Sequence, residues 1–172
     1  MSSIAMLILR VTVGGLLAGH GAQKLFGWFG GSGMKGTAKA MESMGLEPGT
    51  LWAPLGGLAE FGGGVLTALG FLHPLGPISL MAAMSMATIK AHWGKPIWNT
   101  EGGAELPVTY FTVALAMALA GPGRYSLDAA TLLRLPASLV AAAVVLAATG
   151  VTTGVAAPAL LVGDTARNEQ AA

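Results

Sequence analysis

The chain has no cysteine, which excludes disulfides, thiolate metal sites, all-cysteine iron–sulfur clusters and any thiol-based redox relay. Any electron chemistry must therefore use a bound cofactor, a quinone or a partner subunit. Charge is scarce as well. Asp, Glu, Lys and Arg make up 10% of the 172 residues, against about a quarter in soluble domains, whose surfaces face water. The net charge of +1 supplies no field to draw in nucleic acid. No His, Asp or Glu cluster has metal-ligand spacing on one helix.

What the chain does have is apolar length. Hydrophobic residues reach 53%, and the 26 glycines suit closely packed membrane helices better than soluble ones. Five segments stand out: Ile4–Gly21, Leu51–Leu72, Leu75–His92, Leu106–Gly121 and Ala137–Val162. Each is long enough, or nearly so, to cross a hydrocarbon core of about 30 Å at roughly 1.5 Å per residue. His73–Pro74, Gly94 with Pro96, and Gly121–Pro122–Gly123 separate them, and Pro107 suits the first turn of the fourth. The expected fold is all-α: a polytopic membrane helix bundle of four or five spans. The fifth segment is almost pure Ala, Val, Leu, Thr and Gly, carries no chemistry, and reads as an appended packing or anchoring helix. Arg10 lies inside the first apolar run, with nothing basic before it, so that run reads as a retained helix and not a signal peptide.

Between Ala22 and Thr50, Met34, Ala38, Met41 and Met44 recur at helical spacing, with Lys35, Lys39 and Glu42 on the other side. This predicts a short amphipathic helix near residues 34–45, either in the membrane interface or packed over the bundle mouth. Antiparallel threading gathers Trp28, Trp52, Trp93 and Trp98 near one face, as an interfacial aromatic belt would. Lys24, Lys35, Lys39, Lys90, Lys95 and Arg167 collect at that loop face, against Arg124 and Arg134 at the other. The positive-inside tendency then makes the loop face cytoplasmic and places the N-terminus outside.

Charges inside the bilayer are the informative residues, since each costs about 2.5–3.5 kcal/mol at a helix centre. Arg10 and Glu60 qualify. With the first helix ending at Gly21, they lie roughly 15 Å and 12 Å from the loop face, so the expectation is that they pair across a hairpin. Gly14 beside Arg10, and Gly56, Gly63, Gly64 and Thr67 beside Glu60, permit the close approach. A salt bridge that merely fixes register explains the pair equally well. Nearer the loop face, His20 and Lys24 share a side of the first helix, Lys90 and His92 end the third, and Glu105 begins the fourth. His20, Lys24 and Glu60 are the stronger candidates for a polar pocket; His92 and Glu105 follow. Such a pocket suits a quinone, whose carbonyls need donors and whose reduction needs protons. Haem held by His20 and His92 ranks below it.

Arg10, the run Gly19–His20–Gly21–Ala22–Gln23–Lys24–Leu25, Glu60–Phe61–Gly62–Gly63–Gly64, His92, Glu105 and Gly121–Pro122–Gly123–Arg124–Tyr125–Ser126–Leu127–Asp128 together carry a resemblance. The chain resembles the DoxX family of small bacterial membrane proteins up to about Asp128. The resemblance implies a four-helix membrane unit over residues 1–128, from which the linker and Ala-rich fifth helix at 129–162 depart, followed by a polar tail at 163–172. It implies a multi-pass protein of the bacterial cytoplasmic membrane in redox assemblies, of the thiosulfate:quinone or oxidative-stress kind. Three readings follow. The first is a quinone-linked subunit with catalytic Glu60, His20 and Lys24, Arg10 holding Glu60. The second is a non-catalytic anchor or scaffold for a redox or respiratory complex. The third is a small-solute or proton carrier. Partners are the lipid bilayer, other subunits and a second copy of the chain.

Overall fold

A computed structural model describes the backbone of residues 3–169 and the side chains as far as residue 156. Every regular element among them is helical: α1 (Ser3–Phe26), α2 (Gly33–Ser43), α3 (Gly49–Leu69), α4 (Leu75–Ala91), α5 (Glu105–Ala120), the short α6 (Leu127–Thr131) and α7 (Ala137–Glu169). The all-helical expectation holds. Helix α7 continues to Glu169, so the expected polar tail is helical up to that residue. By length and composition two helices can cross a membrane, α1 and the Ala137–Ala156 part of α7; α4 and α5 are apolar but shorter.

The α1–α3 hairpin is the tightest contact, and glycine sets its register. A Cβ on Gly14 would come within 2.6 Å of the Gly64 carbonyl oxygen and the Ala68 nitrogen, and one on Gly21 would collide with the backbone of Phe61. The helices therefore touch backbone to backbone, with Gly14 opposite Gly64 and Ala68, Gly21 opposite Phe61, and Leu25 opposite Gly57. This corrects the expected pairing. Helix α1 does not stop at Gly21 but runs another turn and more, to Phe26. The added length slides Arg10 past Glu60 to the far end of α3.

Helix α2 lies across the start of this hairpin. Gly49 packs against the Ala38 carbonyl and Gly56 against Met41, so α2 is packed on the start of α3. Helices α4 and α5 complete the unit. Its apolar core joins Met6, Val13 and Leu17 of α1 to Leu80 and Met84 of α4 and Ala114 and Met117 of α5. Helix α7 leans on the bundle where Gly154 meets Met86 of α4 and Trp52 of α3.

Large apolar side chains face outward as well as into the core. Ile4, Ile8 and Val11 of α1 and Leu51, Leu55 and Leu58 of α3 are at least half exposed. Arg10, Glu60, Thr67 and Asp128 are buried. Large apolar groups facing out at helical spacing, over an inner seam of glycine and polar residues, is the arrangement lipid favours.

Candidate functional site

The charged residues inside the bundle form two separate centres, one at each end of the α1–α3 hairpin. At the loop face, Lys24 Nζ donates to Glu60 Oε1. Glu60 is 5% exposed in its side chain and Lys24 32%, so the carboxylate is inside and the ammonium reaches outward. The register explains the match: with Gly21 against Phe61 and Lys24 beside Gly57, Lys24 falls one turn from Glu60. The other carboxylate oxygen, Oε2, is buried without a hydrogen-bond partner. The Lys24 carbonyl accepts from Thr37 Oγ1 of α2 at 3.1 Å, which ties the covering helix to the pair.

The remaining loop-face candidates do other work. His20 is exposed on α1 and takes no part in the pair. His92 Nδ1 donates to the Gly102 carbonyl at 2.7 Å, and Glu105 Oε2 accepts from the Asn99 amide at 2.9 Å. Both residues hold the 93–104 connection in shape.

At the opposite end sits Arg10, 2% exposed. It does not hold Glu60. Its Nη1 donates to the carbonyls of Ala68 at 3.0 Å and Thr67 at 3.4 Å, and Nη2 donates to the Tyr125 carbonyl. The physical reason is the helix end: the last carbonyls of α3 lack intrahelical partners and carry the negative end of its dipole. Hydrogen bonds to a charged group contribute about 1.5–3 kcal/mol each. Two or three of them offset the roughly 2.5–3.5 kcal/mol cost of a bilayer arginine. No carboxylate is required. Gly70 makes this possible, since its φ of 61° closes α3 and a Cβ there would run into the guanidinium.

Around Arg10 the chain closes on itself. Asp128, buried at the start of α6, accepts from the Leu72 amide through Oδ1 at 2.9 Å and from the His73 amide through Oδ2 at 2.8 Å. Its own amide donates to the Gly70 carbonyl at 3.1 Å, and Ser126 Oγ caps α6 by accepting from Ala129. The α3–α4 turn is thereby clasped from outside. His73 Nε2 donates to the Ala118 carbonyl at 3.1 Å. Burial pushes the His73 imidazole below its ordinary pKa; the Ala118 hydrogen bond and the Asp128 carboxylate oppose the drop, and Arg10 adds to it. Sequence reasoning does not single out Asp128 or His73 as site residues. The available signal is Ser126–Leu127–Asp128, a capping serine followed by a first-turn acid.

Neither curated proteins nor solved structures offer a match to the chain. Residues 5–93 match the family model described as DoxX, spanning α1 through the end of α4 and both hairpin residues of each centre, Arg10 with the α3 terminus and Lys24 with Glu60. That match covers more than half of the chain, and its members are membrane proteins often linked to redox and quinone-related functions. With its outward apolar faces against the bilayer, this chain belongs to the DoxX family of membrane proteins.

Proposed function

We propose that the chain is a multi-pass subunit of the bacterial cytoplasmic membrane, with α1, α3, α4, α5 and α7 crossing the bilayer. It serves a quinone-linked redox assembly of the oxidative-stress or thiosulfate:quinone type. The observation that carries this reading is Glu60: a carboxylate buried in the hairpin, with one oxygen on Lys24 and the other without a partner. A group so placed is suited to receive and release protons. Lys24 offers N–H donors to a quinone carbonyl, and Glu60 Oε2 offers an acceptor to a quinol hydroxyl. The quinone, when bound, supplies the electron chemistry; the chain binds its oxygen and moves a proton between Glu60 and the loop face along the partly exposed Lys24.

The test is organic extraction of the purified chain for quinone, together with coupled turnover of the assembly carrying Glu60→Gln. Quinone in the extract and at least a tenfold loss of turnover, with folding retained, is the expected result. Unchanged turnover rejects the proton role.

A second reading, a non-catalytic anchor or scaffold, is favoured by how the other polar residues are spent. Arg10, Asp128, His92 and Glu105 all bond to backbone and hold turns or helix ends. A stable partner co-purifying without any quinone supports this reading over the first.

A further inference from the structure

Charge is spread unevenly between the two ends of the bundle. At the loop face the acids match the bases: Lys24 is paired with Glu60, and the other lysines share that end with Glu42, Glu47, Glu101 and Glu105. Among the described residues the opposite end has a single carboxylate, Asp128, which is buried and spent on the Leu72 and His73 amides. Arg124 and Arg134 stand beside it, both exposed, one before α6 and one after it. Neither makes a hydrogen bond or an ion pair among the described residues; Arg124 only lies over the Tyr125 ring, at 5.9 Å. This end therefore presents two guanidiniums that no acid neutralises.

The same segment exposes leucines. Leu132 is 87% exposed, and Leu127 and Leu133 are also open. Leu132 closes α6 at a φ of 56°, the left-handed position that glycine usually takes. A leucine there strains the backbone, and its side chain covers nothing in the chain. Depth is fixed by Gly123, where a Cβ would meet Met6 in the first turns of α1, a helix long enough to cross a membrane. Residues 123–134 thus lie at the level where α1 enters the bilayer. Bases beside leucines at that level suit the boundary between headgroups and acyl chains.

The chemistry of the partner follows. A guanidinium fork matches the oxygens of a phosphate, the group that lipids place at this depth. A zwitterionic lipid brings its own cation next to that phosphate, whereas an anionic lipid brings a net charge that unneutralised arginines attract. We propose that this end of the bundle binds the headgroup phosphate of an anionic phospholipid, with Arg124 and Arg134 as the donors and the α6 leucines among the acyl chains. The inference goes beyond the proposed function and rests only on the chain being embedded in a membrane.

Native mass spectrometry of the full chain tests it, with the protein released from micelles holding equal amounts of phosphatidylglycerol and phosphatidylcholine of the same acyl chains. The ratio of the two bound lipids is the readout. Wild type is expected to favour phosphatidylglycerol at least tenfold, from roughly fivefold per basic residue at an anionic surface. Arg124→Gln combined with Arg134→Gln brings the ratio close to one, while Arg124→Lys with Arg134→Lys keeps the charge and most of the preference. Neither arginine has a polar partner in the described structure, so both double variants keep the wild-type unfolding midpoint in detergent. Lys35→Gln with Lys39→Gln, at the loop face, leaves the ratio unchanged. Glu60→Gln, which tests the redox reading, also leaves it unchanged, so the two ideas fail separately. A wild-type ratio near one overturns the inference, as does a preference that survives loss of both arginines or that falls equally in the Lys35 and Lys39 variant.

Discussion

At one end of the α1–α3 hairpin a guanidinium is satisfied by the terminal carbonyls of a helix; at the other a carboxylate meets a lysine and keeps one oxygen unpartnered. Both charges are buried, on the same two helices, within one antiparallel contact. The Arg10 centre is enclosed by the Asp128 clasp and bonded to backbone, which does not titrate. The Lys24–Glu60 centre is made of two titratable side chains and reaches the loop face through a lysine that is 32% exposed. Backbone partners make a fixed joint, whereas side-chain partners leave a group free to change its proton state. On the proposed function, the Arg10 end is expected to carry stability and the Lys24–Glu60 end chemistry.

The sharpest way to break that contrast is Arg10→Met. It strands the carbonyls of Thr67, Ala68 and Tyr125 and leaves Asp128 without its neighbouring cation. The expected loss is roughly 2–5 kcal/mol, from two or three unmet acceptors, read as a lowered unfolding midpoint in detergent. A near-neutral result would show that the Arg10 end is not the joint described.

Next in size is Lys24→Met, which leaves the Glu60 carboxylate buried and unpaired. Breaking a buried pair typically costs about 3–5 kcal/mol, and the partial exposure of Lys24 reduces this to roughly 1–3 kcal/mol. Adding Glu60→Gln to the same chain removes the stranded charge and is expected to restore most of the loss, a non-additivity that a double-mutant cycle measures directly. If the two losses simply add, the pair is not coupled.

That pairing illustrates how far the sequence can be read. The helices, the buried charges and the amphipathic segment are all legible, because hydropathy and periodicity are local properties. The partners of the charges are not, because register is a property of two helices at once. The Gly19–His20–Gly21–Ala22 stretch looks like a helix end, since small residues usually mark one. In the fold, Gly21 instead lets Phe61 of α3 approach the α1 backbone, and the helix carries on to Phe26. Reading that glycine as a terminus shortens α1 by more than a turn and pairs Arg10 with the wrong group. The role of Asp128 is hidden for a related reason. Its partners, the amides of Leu72 and His73, lie more than fifty residues away and have no side-chain signature. Lys24 and Glu60, by contrast, are both candidates for one pocket, and the longer helix brings them together.

The smallest expected effect refines the Arg10 end and uses His73. Burial holds its imidazole below the ordinary value of 6.5, so the folded state favours the neutral ring while the unfolded chain takes up a proton more readily. A group with a lowered folded pKa costs stability as the pH falls below its unfolded value, and the loss levels off once the folded ring also protonates. The unfolding midpoint is therefore expected to drop between about pH 7 and pH 5 by more in the wild type than in His73→Gln, a difference of under about 1 kcal/mol. Other acids titrate in both chains and cancel in the comparison. Because Asp128 and Arg10 act on the ring in opposite senses, Asp128→Asn should enlarge the acid sensitivity by removing the charge that favours the imidazolium. If the two chains lose stability in parallel, His73 is not held neutral by its surroundings, and the Arg10 end is more open to water than its bonds to backbone imply.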